Sequence, residues 1–222
     1  MKKTKILVLF YSLSGGTAEL AREVARGVAE VADTEVEIKR VPELLSPEFF
    51  EKNPAMKEMK EKLEKEFVEA TIEDLIEADG VAFGTPVHFG SFASQIKQFI
   101  DQLSHVWMQG KMVNKPASVF CSSGSLHGGE EVTLISLIVP LLNLGMIPIG
   151  IPYPVQGGGL EFDAGSPYGA IFVNRMNSQK GMSENDKKAA KILGRRLATM
   201  THLMNHACEG TSACYELTQK ED

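Results

Sequence analysis

Cysteine is scarce in this chain: three in 222 residues, far below the density of a disulfide-built scaffold. Cys121 lies inside an apolar run and is expected in the core. Cys208 and Cys214 form a C-x5-C spacing in a polar C-terminal stretch. Neither the paired ligand spacing of a zinc site nor a four-cysteine iron–sulfur run is present, so no metal is expected. Positive charge is short as well. Lys and Arg number 23 against 29 Asp and Glu, a net charge of −6, and no basic cluster offers a face for nucleic acid. No apolar run approaches the ~18 residues of a membrane span. The six apolar residues after Lys5 are too few for a secretory leader, which predicts a cytoplasmic protein. The phosphate-binding pattern G-x-x-x-x-G-K-[ST] and the dinucleotide pattern G-x-G-x-x-G are both missing.

What is present reads as a globular α/β protein. Hydrophobic residues make up 43% and charged residues 23%, ordinary globular usage. One domain is expected over residues 1–206, followed by a flexible tail, 207–222. Ile6–Phe10, Val81–Phe83, Ala117–Cys121 and Ile147–Ile151 are continuous apolar runs, and Val36 and Ile38 alternate in Thr34–Val41. Runs without alternation are strands covered on both faces, hence a parallel sheet. Between them lie helical stripes at Thr17–Val31, Ser94–Leu103 and Glu131–Leu144, the last carrying Pro140. A final helix is capped by Ser183 and runs to about Asn205. The alternation describes a doubly wound, five-stranded parallel sheet.

Residues Glu51–Glu66 interrupt the alternation with five Lys and five Glu. Met56, Met59, Leu63 and Phe67 step by three and four, which predicts a charged helical insertion before strand three with one narrow apolar stripe. Two placements stay open: a surface helix on its own domain, or a subunit contact.

In such a sheet, ligands bind at the carboxyl ends of the strands. After strand one comes Ser12-Leu13-Ser14-Gly15-Gly16-Thr17, with three hydroxyls and two glycines opening a helix. Glycines allow a tight turn, and the helix start presents N–H donors with partial positive charge. This is a phosphate cradle without lysine; the plainer alternative is a Ser-capped helix after a turn. After strand three, Pro86-Val87-His88-Phe89-Gly90 offers a phenyl ring to a planar ligand, with core packing of Phe89 and solvation of His88 as the alternatives. After strand four, Ser122-Ser123-Gly124-Ser125-Leu126-His127-Gly128 forms a second donor-rich loop. The single tryptophan, Trp107, either anchors its own polar stretch or caps a flat ligand.

These three loops resemble those of the flavodoxin-like FMN proteins, and more narrowly of the WrbA family of NAD(P)H:quinone oxidoreductases, over Lys5 to about Met204. The Trp107 stretch, the charged insertion and Ser166-Pro167-Tyr168-Gly169-Ala170 also have counterparts there. The chain departs from the family at Ser14-Gly15-Gly16, where Tyr-Gly-His is usual, at His88, where Arg is frequent, and at Leu144, the position of a family histidine. The resemblance implies strand order 2-1-3-4-5 and FMN as cofactor. It implies that Ser12–Thr17 hold the phosphate, that Pro86–Gly90, Ser122–Ser125, His127 and Gly128 hold the ring, and that Trp107 borders the substrate. It further implies two-electron transfer from NAD(P)H to a quinone by a ping-pong mechanism, in a homotetramer; the two histidines in these loops, His88 and His127, are the candidates for handling charge and protons. Two other classes remain: a flavodoxin-type electron carrier, and a binding or regulatory protein that uses FMN as a structural ligand, or none, and does not oxidise NAD(P)H.

Overall fold

A computed structural model describes residues 3–153, 164–174 and 181–207. β1 (Thr4–Phe10) pairs in parallel with β2 (Thr34–Arg40) on one side and β3 (Gly80–His88) on the other, and β3 pairs with β5 (Pro116–Ser123). The order is β2-β1-β3-β5-β6, with β4 (Ser91–Phe92) folded back antiparallel on β3. The order 2-1-3-4-5 therefore stands, but its fifth position is filled in two pieces. Only Ile147–Pro148 (β6) pairs with the start of β5, and β7 (Gly169–Val173) takes over alongside Val119–Ser123. Pro148 has no N–H to donate. Ile149 and Ile151 then direct their N–H groups to Ala117 O and Pro167 O.

Two apolar layers cover the sheet. On one face α1 (Gly16–Ala29) and α8 (Glu184–Ala207) pack over Ile6, Val8, Phe10, Ala82 and Phe120. On the other, α4 (Ile72–Glu77), α5 (Ser94–Asp101), α6 (Ser104–Met108) and α7 (Glu130–Asn143) enclose Leu7, Leu9, Val81, Phe83, Val119 and Cys121. Alternate residues of each strand serve opposite layers, which is why the strands read as unbroken apolar runs. Cys121 is fully buried, as expected. Ser183 caps α8 in a reciprocal arrangement: its Oγ accepts from Asp186 N (3.1 Å) while Asp186 Oδ2 accepts from Ser183 N (3.0 Å). α7 continues through Pro140.

The charged insertion is two helices, α2 (Pro47–Lys52) and α3 (Pro54–Glu66), and it lies on its own domain. Leu63 and Phe67 are buried, Phe67 meets Phe10 edge-on at 5.0 Å, and Arg22 grips Glu66 through two hydrogen bonds of 2.7 and 2.6 Å. No helix among the described residues is long and apolar enough to cross a membrane. Cys208 and Cys214 lie outside the described residues, as does the predicted tail apart from Ala207.

Candidate functional site

The parallel register brings the ends of β1, β3 and β5 to one edge: Phe10 faces Gly84, and Pro86 faces Ser122. The loops that follow touch one another. Tyr11 N donates to Gly84 O (3.0 Å), joining the first to the second strand end. Thr17 Oγ1 and Ser122 Oγ share a buried hydrogen bond of 2.8 Å, joining the first loop to the third. A Cβ on Gly129 would stand 2.9 Å from Gly90 Cα, so the second and third loops meet at two glycines.

The first loop is built as a donor cradle. Ser12 Oγ accepts from Gly15 N (3.1 Å), which folds the loop back on itself. Gly15 takes φ +93°, a left-handed conformation suited to glycine, and is the N-cap of α1 without any side-chain cap. By helix geometry, the N–H groups of Gly16, Thr17 and Ala18 have no carbonyl partner within α1. No Lys or Arg occurs in any of the three loops. Such a donor set fits a phosphate monoester held by backbone amides and the helix end. Ser14 is exposed, and Leu13 packs partly on the core. Met59 of α3 lies over the loop, since a Cβ on Gly15 would be 3.0 Å from its Sδ and Cε.

The second loop turns an apolar ring outward. Phe89 adopts φ +54° and is fully exposed, and Gly90 follows at φ +71°. Left-handed backbone at a bulky residue costs about 1–3 kcal/mol and persists only where the surroundings impose it. Core packing of Phe89 is thus set aside in favour of a free ring face. Val87 is half-buried and packs on the core beside Phe92. His88 is half-buried with its ring edge-on to Tyr11 at 6.4 Å. Burial pulls its proton affinity below the ordinary imidazole value, and the charge of Glu43 opposes that pull. Because the folded state binds this proton more weakly than the unfolded chain, stability tied to His88 is complete above about pH 6.5. It should decline as pH falls through the lower folded value. Comparing Tm against pH for the parent and His88→Asn checks this, the variant losing that part of the acid slope.

The third loop rests on an acid that the sequence reading passed over. Glu130 opens α7 with its carboxylate buried, and Ser123 Oγ donates to Glu130 Oε1 at 2.5 Å. Ser123 Oγ also lies 3.0 Å from Ser125 O. Gly128 sits close over Ser125 and Glu130 Oε1, while Gly124, Ser125 and His127 are exposed, His127 with φ +56°. Glu130→Ala would remove a buried hydrogen bond and leave the Ser123 hydroxyl only Ser125 O as acceptor, a loss of about 0.5–1.5 kcal/mol. Thermal melting of the ligand-free protein should register it. An acid directly after Gly128-Gly129 at a helix start was the available signal.

Trp107 lies on α6 and is 58% exposed, while Val106 and Met112 secure that stretch to the core. The hydrogen bonds that join the three loops do not involve it. Tyr11, Glu43 and Gln95 form a further cluster behind the second loop, invisible in sequence because its members are scattered over three elements.

Comparison with known proteins agrees with this geometry. A protein of Solidesulfovibrio magneticus named NAD(P)H dehydrogenase (quinone) is 40% identical over 198 residues, 88% of this chain and 97% of its own length. One of Archaeoglobus fulgidus with the same name is 41% identical over 194 residues, 87% and 95% of the two chains. Among solved structures, a flavodoxin, WrbA-like protein of Agrobacterium tumefaciens superposes with TM-score 0.58 at 22% identity, covering 90% of this chain and 98% of its own. That likeness gives the flavodoxin-like fold. Residues 4–158 match the family described as NADPH-dependent FMN reductase, and the chain belongs to that family.

Proposed function

We propose that this protein is an FMN-dependent oxidoreductase that passes two electrons from NAD(P)H to a quinone. The observation that carries the reading is the carboxyl edge of the sheet, where an uncapped helix start and the loop with the exposed Phe89 follow neighbouring strands. The family match and the names of the relatives support the same activity. When bound, FMN supplies a ring that accepts a hydride and gives up two electrons.

The chain supplies the rest. Ser12, Leu13, Ser14, Gly15, Gly16 and Thr17 hold the phosphate through N–H and hydroxyl donors. Pro86, Val87, His88, Phe89 and Gly90 hold one side of the ring system. Ser122, Ser123, Gly124, Ser125, His127 and Gly128 hold the other, and Trp107 borders the substrate. His88 and His127 are the imidazoles that these loops offer to the ring and the substrate. Nicotinamide and quinone use one face in turn, which gives ping-pong kinetics. The protein works in the cytoplasm as a homotetramer. Val132, Ile135, Val139 and Leu142 are exposed on α7 at steps of three and four, an apolar stripe suited to a second copy. Val139→Glu should then lower the sedimenting mass; a parent that already sediments as a monomer removes the tetramer.

The deciding experiment is an anaerobic titration of the FMN-loaded protein with NADH and then NADPH, followed in the visible flavin band. Direct bleaching is expected. Bound flavin untouched by either nicotinamide would favour an electron carrier, and failure to bind flavin would favour a regulatory protein.

A further inference from the structure

Behind the second loop lies a carboxylate that neither the phosphate cradle nor the ring loops use. Glu43 follows β2, and its two oxygens accept four hydrogen bonds. Oε1 accepts from Leu44 N (2.8 Å), Leu45 N (2.9 Å) and Gln95 Nε2 (2.8 Å); Oε2 accepts from Tyr11 OH (2.9 Å). The donors come from its own loop, from the first turn of α5 and from the end of β1. Tyr11 and Gln95 are both buried, at 3% exposure. A carboxylate with this many fixed donors has one orientation, and it orients the elements that carry the donors.

The surrounding charges make it distinctive. None of the ion pairs found among the described residues uses Glu43. Arg40 and Lys60 line the same small cavity, beside Ser12 and Leu13, but both pair with Glu64, and Arg40 also with Glu69. The Tyr11 phenol is not an exchangeable proton near neutral pH, because burial and the charge of Glu43 push its pKa far up. Its OH therefore serves as a permanent donor to Glu43. His88 stands edge-on to Tyr11, whose OH binds Glu43; burial pulls the imidazole's proton affinity below its ordinary value, and the charge of Glu43 opposes that pull.

We propose that Glu43 is a positioning residue for the second loop, the fixed negative charge against which His88 takes a proton from solvent and returns it. The role assigned to the loop rests on the function proposed above; the Glu43–His88 coupling does not. Gln95 and Tyr11 hold the carboxylate in place, and its charge offsets part of what burial costs the imidazolium. A ring system bound against Phe89 would then meet a loop whose charge changes by one as His88 takes up or returns its proton.

The test is an NMR titration of the His88 imidazole in the ligand-free protein, so that flavin binding does not enter the readout. Glu43→Gln removes the charge, and Gln95→Lys neutralises it without removing the carboxylate. In each, the His88 midpoint should fall by about 0.5–1 pH unit, a three- to ten-fold loss of proton affinity. Gln95→Leu removes a contact but keeps the charge, and should lower Tm while leaving the midpoint in place. A midpoint unchanged in whichever neutralised variant folds overturns the coupling, and a purely structural role would move Tm alone. FMN binding by the same parent protein is measured separately. Its absence would overturn the function proposed above and leave the coupling standing.

Discussion

Gly194→Val is expected to cost about 4 kcal/mol, at the upper end of what overpacking does. The reason is a backbone-to-backbone approach. A Cβ on Gly194 of α8 would lie 1.9 Å from Val24 O and 3.1 Å from Val28 N of α1. Reciprocally, a Cβ on Gly27 of α1 would lie 2.0 Å from Lys191 O of α8. Neither neighbour is a flexible side chain that can step aside. Around the crossing the two helices bury small residues, Ala18, Ala21, Ala25, Ala189, Ala190 and Ala198, so the axes run close along their length. A valine must separate the helices and strip contacts from every one of these alanines.

At about 2–4 °C per kcal/mol for a chain of this size, Tm should drop by roughly 8–16 °C. Gly181→Ala is the matched control, because a Cβ there meets nothing within 4 Å; its Tm should stay level or rise slightly. The consequence extends to the site. α1 carries the Ser12–Thr17 loop at its start, and α8 is the wall that sets where α1 lies. Gly194→Val should therefore also weaken FMN binding at temperatures where the variant is still folded. Full affinity in a folded Gly194→Val protein would mean that the cradle does not depend on the α1–α8 spacing.

The strands that line the site were legible because they are buried on both faces. Ile6–Phe10, Val81–Phe83 and Ala117–Cys121 could belong to little else, and the structure extends each by a few residues. The fifth position was legible only in part. Pro148 and Pro152 deny the Ile147–Ile151 run its ladder, and β7 completes the edge from a stretch beginning at Gly169, where no periodic signal precedes it. The three loops could be placed because each directly follows a strand of the parallel sheet. The Tyr11–Glu43–Gln95 cluster could not, since its members are 32 and 52 residues apart in sequence and meet only through the β1–β2 pairing and the docking of α5. Met59 was read as part of an apolar stripe, but its seat over Gly15 depends on the Arg22–Glu66 clasp that holds α3 to α1.

Ser14→Asp is expected to reduce FMN affinity by about 100-fold, near 2.7 kcal/mol, with the fold intact. Ser14 is exposed and precedes the N-cap Gly15. A carboxylate there is attracted to the positive end of α1, so the ligand-free protein should gain rather than lose stability, by about 0.3–1 kcal/mol. The same attraction is what a phosphate would use. The new carboxylate competes for the N–H donors of the loop and repels a dianion besides. Three measurements separate this from simple damage. Ser14→Asn, equal in shape and uncharged, should bind FMN within a few-fold of the parent. The Tm of ligand-free Ser14→Asp should equal or exceed that of the parent. Riboflavin, which has the ring without the phosphate, should lose little affinity, since the second and third loops are untouched. An equal loss for FMN and riboflavin would mean that Ser12–Thr17 do not hold the phosphate. The uncapped start of α1 would then be serving some other anion, and the three loops would have to be divided between two ligands instead of sharing one.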